Sequence, residues 1–162
     1  MASCTIDSET AGKKKIRNPF EPVYVSNGVI ACLLKSAKME YVQDPLGKDY
    51  WQTPSETIER GKGDCEDISI FFSYLLEKKG ITSKVVIGLK GPSSKYGHCW
   101  VEFNENGCEY VVEPSSQVIM KRRNLFEGMY VPAHGIDVAI RKYSDYHRRT
   151  GKWLNEDFRL ER

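Results

Sequence analysis

A cysteine, a histidine and a glutamate occur in this chain in an order and a setting that suit catalysis by a thiol. Cys65 follows Gly63 and Asp64, where a helix is predicted to begin, and the unpaired N–H groups and dipole of a helix N-terminus favour negative charge. With an imidazolium nearby, such a thiol has a pKa of roughly 3.5–7.5 instead of about 8.5. We therefore predict that Cys65 is the nucleophile, that His98 is its base and that Glu113 orients the base.

The base and the acid are predicted to lie on one face of a β-hairpin. Two predicted strands, joined by Asn104–Gly107, begin with His98 and end at Glu113. If the middle two residues of the connection form the turn, His98 faces Glu113 directly. If the last two residues of the connection, an Asn-Gly pair typical of hairpin turns, form the turn instead, Glu113 faces Trp100 and lies diagonal to His98. In both registers the two side chains share a face and lie close together.

Apolar spacing predicts three helices ahead of these strands. The first begins at Ser26 and ends at Asp44-Pro45, because the residue before a proline avoids the helical conformation. The second is short and begins in Thr53–Glu56, which has the pattern of a capping box with a proline at the first helical position. The third is capped by Asp64 and ended by Gly80. The predicted apolar faces are Ile30, Leu33, Leu34, Ala37 and Tyr41 in the first helix, and Ile68, Phe72, Leu75 and Leu76 in the third.

Beyond the third helix the pattern becomes extended, and residues 85–89, 98–103 and 108–112 are predicted strands. Residues 128–132 are predicted as a further strand, and residues 136–146 as either a strand or a helix. Helices followed by antiparallel strands predict an α+β fold.

These residues also resemble a known family. The chain is similar to the transglutaminase-like cysteine peptidase superfamily over its core motifs, residues 44–116. Glu113 stands where most members have an aspartate, and Cys99 replaces a small residue. The motifs are Asp49-Tyr50-Trp51-Gln52-Thr53-Pro54-Ser55-Glu56-Thr57, Gly61-Lys62-Gly63-Asp64-Cys65-Glu66-Asp67, Gly97-His98-Cys99-Trp100-Val101-Glu102 and Tyr110-Val111-Val112-Glu113-Pro114.

The resemblance implies a papain-like fold, with N-terminal helices packed on an antiparallel sheet, and acyl transfer through a thioester on Cys65. Water as the second nucleophile would make the protein a cysteine peptidase or amidase acting on a peptide, isopeptide or side-chain amide bond, which is the expectation. An amine would make it a transglutaminase. No organic cofactor is implied.

Loose similarity makes Gln52 or Trp51 the oxyanion donor beside the Cys65 backbone N–H, with Trp51 as a core aromatic the alternative. In some bacterial relatives, acids around the cysteine bind calcium. The corresponding residues here are Asp64, Glu66 and Asp67, which capping and the helix dipole also explain.

The bulk composition is that of a globular protein. The 162 residues are 40% hydrophobic and 28% charged, with a net charge of +2, which is too small to indicate nucleic-acid binding. No apolar run of signal-peptide or membrane-spanning length is present. The five cysteines are odd in number, which favours reduced thiols and a cytoplasmic location. Residues 1–17 are predicted to be a flexible tail, and residues 18–162 a single catalytic domain.

Three other functions are compatible with parts of the sequence. A zinc site would combine Cys65, His98, Cys99 and Cys108, although no Cys-x-x-Cys pair is present. A catalytically inactive binding module would keep the fold without turnover. A basic adaptor would use residues 121–123 and 141–149 against an acidic partner. His134 and His147 are further histidines, but neither is predicted to pair with an acid across a hairpin.

Overall fold

The computed structural model describes residues 22–45, 47–91, 93–94, 97–125, 128–133 and 137–158. The predicted tail, residues 1–17, and His134 lie outside these ranges. The helices are α1 (Asn27–Ser36), α2 (Pro54–Arg60), α3 (Cys65–Glu77) and α4 (Asp137–Thr150). The strands are β1 (Glu40–Tyr41), β2 (Lys62–Gly63), β3 (Ser83–Lys90), β4 (Gly97–Glu105), β5 (Cys108–Glu113), β6 (Val118–Lys121) and β7 (Tyr130–Pro132).

The main sheet has five antiparallel strands in the order β6-β5-β4-β3-β7. The predicted α+β architecture, with helices packed on an antiparallel sheet, is therefore confirmed. Strand β6 and the separate parallel pair β1–β2 were not predicted. The two residues of β1 were expected to be helical, but α1 ends at Ser36 and the chain then turns to pair with the strand that precedes Cys65.

The buried face of α1 also differs from the prediction. Ser26 caps the helix as expected, since its side chain accepts a hydrogen bond from the Val29 backbone N–H. Ile30 and Leu34, however, are exposed. The helix is rotated so that Val29, Cys32 and Ser36 are buried instead. A short apolar pattern with hydrophobic residues on several sides does not determine which side meets the core.

Helices α2 and α3 form as the sequence predicts. The capping box of Thr53 and Glu56 is present at the start of α2. Asp64 is the N-cap of α3, whose buried residues include Ile68, Phe72 and Leu76. Helix α3 packs on the face of the sheet that carries Cys99, Val101 and Phe103. The nucleophile candidate therefore lies at the end of the central helix of the core.

The hairpin between β4 and β5 adopts one of the two predicted registers. Val101 is opposite Val112, and the turn residues Asn106 and Gly107 have φ angles of 53° and 76°. Two consecutive left-handed residues are what a tight hairpin turn of this kind requires, and Asn-Gly provides them at low cost. In this register Glu113 is diagonal to His98.

The C-terminal part of the chain is attached to β3, and its helix packs into the same core as α3. Residues 136–146 were predicted as a strand or a helix, and the segment forms most of α4. The Tyr143 hydroxyl donates to the Val85 carbonyl at 2.7 Å and accepts from the Ile87 N–H at 3.0 Å. The Val85 N–H donates to the Leu154 carbonyl at 2.9 Å. Within the described ranges, no helix is long and apolar enough to cross a membrane.

Candidate active site

The nucleophile candidate begins α3, and a glycine lets the preceding strand approach that helix closely. A Cβ atom at Gly63 would lie 2.5 Å from Cβ of Asp67 and 2.6 Å from its Oδ2. Asp67 in turn accepts a hydrogen bond from the backbone N–H of Asp64 at 3.4 Å. Gly63 is therefore required for the first turn of α3 to pack against β2 with Cys65 at its end.

The thiol of Cys65 is half-buried, and it donates its hydrogen to Oε2 of Glu66 at 3.1 Å. Burial raises the pKa of the Cys65 thiol strongly, and the neighbouring Glu66 carboxyl raises it further. The backbone N–H of Cys99 acts in the opposite direction, as a hydrogen-bond donor to the sulfur. The prediction that the helix N-terminus lowers this pKa is therefore wrong for this arrangement, because burial and Glu66 outweigh the helix dipole.

Three acidic side chains surround the nucleophile, and all of them hold protons more tightly than usual. Burial raises the pKa of Glu66 to about 9, and a hydrogen bond to Asp64 adds to this. Burial raises the pKa of Asp67 to about 7 and also raises that of Asp64. Within the described residues, no group of three or more His, Cys, Asp or Glu side chains is arranged to hold a metal ion. Calcium binding by Asp64, Glu66 and Asp67 was only an alternative to their capping roles, and no step proposed below depends on a metal.

The base candidate, His98, lies near the start of β4, opposite Gly88 of β3. Its Nε2 is 3.5 Å from Oε1 of Glu113, and its side chain is 21% exposed. The two atoms are not aligned as a hydrogen bond. Because Nε2 faces the acid, Nδ1 is the ring nitrogen left for the thiol. The Ser69 hydroxyl of α3, four residues after Cys65, donates at 3.4 Å to the carbonyl of Cys99, the residue after His98. The helix that begins with the nucleophile therefore contacts the strand that carries the base.

Glu113 is almost fully buried and is held by several side chains. Oε1 accepts a hydrogen bond from the Tyr130 hydroxyl, while Oε2 accepts from Lys90 Nζ and Ser116 Oγ, each at 2.8 Å. Burial alone would raise the pKa of Glu113, but its contacts with His98, Lys90, Tyr130 and Ser116 together hold that pKa well below the ordinary range. The carboxylate is thus ionised and fixed in position.

Sequence reasoning missed these three partners of Glu113. Lys90 and Tyr130 face each other across β3 and β7, so the pairing of two strands about 40 residues apart brings them to the acid. No local pattern encodes that pairing. Ser116 was within reach of prediction, because it lies three residues after Glu113, beyond a proline.

The two oxyanion candidates differ in their surroundings. The Trp51 ring packs edge-on against Tyr143, with ring centroids 5.7 Å apart, so it is part of the core. The Gln52 backbone N–H donates to Asp67 Oδ1 at 2.7 Å, and its side-chain Nε2 donates to Asp67 Oδ2 at 2.5 Å. An amide nitrogen carries two hydrogens. Gln52 therefore keeps one N–H beside the first turn of α3 and is the better placed of the two.

Within the described part of the chain, the other cysteines do not join Cys65 in a second site. Cys32, Cys65 and Cys99 are free thiols, whereas Cys108 is disulfide-bonded, so the expectation of reduced thiols is wrong for Cys108. The alternative zinc site needed that residue as a thiolate. His147, the other histidine with a described side chain, stacks on Trp153 with ring centroids 4.1 Å apart.

The basic residues proposed for an adaptor surface are partly engaged within the molecule. Arg122 contacts Glu102, and Lys142 contacts Asp49. These contacts remove part of the charge that an acidic partner would meet.

Solved structures and a family model agree with this architecture. LapG of Legionella pneumophila superposes with a TM-score of 0.58 at 19% identity, covering 75% of this chain and 76% of that chain. The calcium-bound form of LapG from the same organism gives a TM-score of 0.55 at 20% identity, covering 65% of this chain and 61% of that one. The chain thus spans about three fifths of the calcium-bound LapG chain, and identity this low shows the fold alone.

No curated protein sequence matches the chain significantly. The model of the Transglutaminase-like superfamily, however, matches residues 17–112, which is more than half of the chain. The matched range includes the nucleophile and base candidates and stops one residue before Glu113. This protein belongs to the transglutaminase-like superfamily.

Proposed function

We propose that the protein is a cysteine hydrolase that cleaves an amide bond of a protein or peptide through a thioester on Cys65. Membership in the superfamily supports a cysteine-peptidase type of enzyme. The observation that carries the proposal is the buried, ionised Glu113 facing His98 Nε2, with His98 on the strand that contacts the helix beginning with Cys65.

The ring nitrogen of His98 that does not face Glu113 is available for proton transfer, and this determines the order of the proposed steps. His98 Nδ1 takes the proton of the Cys65 thiol as the sulfur bonds to the carbonyl carbon, and Glu113 stabilises the resulting imidazolium from the Nε2 side. The tetrahedral intermediate collapses when the carbon–nitrogen bond breaks and His98 gives its proton to the leaving amine. Water, deprotonated by His98, then attacks the thioester, and the carbon–sulfur bond breaks to regenerate the thiol.

The raised pKa of the thiol bears on the timing of the proton transfer. A preformed thiolate–imidazolium pair would require an easily ionised thiol, whereas this thiol is half-buried and bonded to Glu66. We propose that the resting enzyme holds a neutral thiol and that His98 removes its proton as the substrate is attacked. General-base catalysis of this kind typically contributes about 10²- to 10⁴-fold.

The hydrogen bond from the Cys65 thiol to Glu66 also favours a second candidate function, a binding module with the same fold but without turnover. A thiol whose hydrogen is committed to Glu66 is less nucleophilic than a thiolate. The two candidates differ in whether His98 accelerates chemistry at Cys65.

The test is acylation by p-nitrophenyl acetate, which releases nitrophenolate as the acetyl group is transferred to the sulfur. The wild type is compared with His98→Ala and Cys65→Ser, and mass spectrometry locates the acetyl group. We expect acylation at Cys65 that falls at least about 100-fold without His98. Equal rates in the wild type and His98→Ala would refute the enzyme and leave the binding module.

A primary amine added to the same assay separates hydrolysis from amine transfer. Acetyl transfer to the amine in preference to water would indicate a transglutaminase. Return of the free thiol with release of acetate, at a rate that the amine does not change, is the result expected of a hydrolase.

A further inference from the structure

Helix α4, which lies outside the range matched by the superfamily model, contacts the segment that precedes α2. Lys142 forms an ion pair with Asp49. Arg149 donates through one guanidinium nitrogen to the Trp51 carbonyl at 2.5 Å and through the other to the Tyr50 hydroxyl at 2.8 Å. These contacts join positions almost 100 residues apart in the chain.

Arg149 also stacks on aromatic rings. Its guanidinium carbon lies 4.5 Å from the ring centroid of Tyr50 and 5.6 Å from that of Tyr146. A planar, forked cation can donate two hydrogen bonds in its plane while its face rests on a ring, which a lysine ammonium cannot do. Although Arg149 is exposed, its head group is thus fixed by two hydrogen bonds and two rings.

The other end of the same segment is attached to the nucleophile helix. Gln52, the residue after Trp51, donates two hydrogen bonds to Asp67 in the first turn of α3. The segment therefore bridges α4 and α3, with Arg149 holding the carbonyl of one residue and Asp67 holding the N–H groups of the next. A displacement at the Arg149 end moves Gln52 relative to Cys65.

We infer that Arg149 is a positioning residue for the acyl-transfer reaction, which it serves by holding Gln52 where an oxyanion forms. This inference rests on the proposed function. Gln52 keeps one side-chain N–H beyond the one it gives to Asp67, and an oxyanion donor must be fixed before the charge appears. The C-terminal helix is then part of the reaction machinery although it supplies no reacting group.

Two reagents separate this role from a general structural one. Alkylation by iodoacetamide displaces iodide at a tetrahedral carbon and forms no oxyanion, whereas acylation by p-nitrophenyl acetate passes through one. Loss of an oxyanion donor costs about 10²- to 10³-fold, and a misplaced one somewhat less. For Arg149→Ala we expect acylation of Cys65 to fall about 10- to 100-fold while alkylation changes by less than about twofold.

Arg148→Ala is the matched control, because this neighbouring arginine is 78% exposed and contacts Asp145 on its own helix. It removes the same charge and should leave both rates unchanged. Arg149→Lys keeps the charge but not the fork, so its acylation rate should lie between those of the wild type and Arg149→Ala. This milder variant also keeps the test informative if the alanine variant does not fold.

A double-mutant cycle shows whether Arg149 acts through Gln52. After Gln52→Ala, the further change Arg149→Ala should cost less than about threefold in acylation, since the group it positions is gone. Equal loss of alkylation and acylation in the arginine variants, or full additivity with Gln52→Ala, would overturn the inference. A wild type that is not acylated at Cys65 would overturn the proposed function as well.

Discussion

The thiol of Cys65 and the carboxyl group of Glu66 are hydrogen-bonded, with sulfur and Oε2 3.1 Å apart. Two successive residues at the start of one helix are therefore joined through the thiol proton, whereas the sequence predicted that the helix N-terminus favours a thiolate at Cys65. The proton on the sulfur is retained by burial as well as by this carboxyl group. His98 must compete with both.

The Glu66 contact should change how the reactivity of Cys65 depends on pH. Burial raises the pKa of Glu66 to about 9. As the pH rises through that value, Glu66 becomes negative beside the sulfur and opposes formation of the thiolate. We expect Glu66→Gln to be alkylated by iodoacetamide about threefold to tenfold faster than the wild type at pH 10, since one unit of pKa is a factor of ten.

Rates between pH 7 and 10.5, measured with EDTA present, check this expectation. The chelator ensures that no divalent metal ion neutralises the carboxylates. Cys65→Ser gives the background from other thiols. Superimposable curves for the wild type and Glu66→Gln would show that the carboxyl group does not control the thiol.

The same buried acids should make the fold less stable at higher pH. A carboxyl group whose pKa is raised in the folded state keeps a proton that the unfolded chain has lost, so its contribution to stability disappears as the pH rises through the folded value. The contribution of Asp67 to stability is lost by about pH 7, and that of Glu66 by about pH 9. Glu113 acts in the opposite sense, because its lowered pKa means that stability is lost on acidification below its ordinary value.

Melting temperatures measured from pH 5 to 9 should therefore fall as the pH rises, and Glu66→Gln should flatten the fall between pH 7 and 9. Asp67→Asn should flatten the decline between pH 5 and 7. A wild-type melting temperature that climbs steadily over this range would contradict the assigned proton uptake.

The charge of Glu113 should matter to the reaction more than its shape. Glu113→Gln keeps the size of the side chain but removes the negative charge from the Nε2 side of His98. We expect acylation by p-nitrophenyl acetate to fall about 10²- to 10⁴-fold, because the base loses the carboxylate that orients it and stabilises its protonated form. Glu113→Asp should retain more activity than the glutamine variant.

The control is Glu102→Gln, which neutralises a part-exposed glutamate on β4 that bonds to the Trp100 indole and to Arg122. Its acylation rate should stay within about threefold of the wild type, since a surface ion pair contributes about 1 kcal/mol or less. Similar losses in both glutamine variants would assign the effect to stability.

Gly88 should be intolerant of any side chain. A Cβ atom there would lie 2.1 Å from the Val131 carbonyl oxygen and 2.5 Å from Cη2 of Trp100. Gly88→Ala should therefore separate β7 from β3 and draw Tyr130 away from Glu113. Overpacking of this kind costs about 1–3 kcal/mol, and at about 2–4 °C per kcal/mol this lowers the melting temperature by roughly 2–12 °C.

Gly97→Ala is the matched change, because a Cβ atom at Gly97 meets nothing within 4 Å although the residue also borders the histidine. Its melting temperature should stay within about 1 °C of the wild type, as for most exposed substitutions. Equal effects of the two alanines would mean that the close approach of β7 is not needed.

Local signals account for the parts of the fold that the sequence predicted. The capping box at Thr53, the N-cap Asp64 and the Asn106-Gly107 turn each depend on residues within four positions of one another, and all three occur as expected. The hairpin left two registers open, and the structure has the one in which both turn residues are left-handed.

Tertiary effects account for what was missed. The partners of Glu113 depend on how β7 pairs with β3, and the direction of the Cys65 pKa depends on burial and on the rotamer of Glu66. The link between Arg149 and Trp51 joins a helix to a segment 98 positions earlier. None of these relationships leaves a periodic pattern in the sequence.

The hairpin turn at Asn106-Gly107 is a suitable place to attach a tag or an anchoring peptide. At about 3.3 Å per residue, it lies roughly 25 Å along β4 from His98. A tag or anchoring peptide inserted there extends a loop and leaves the pairing of the two strands intact. Protein immobilised through that turn would have the end of β4 that carries His98 directed away from the support.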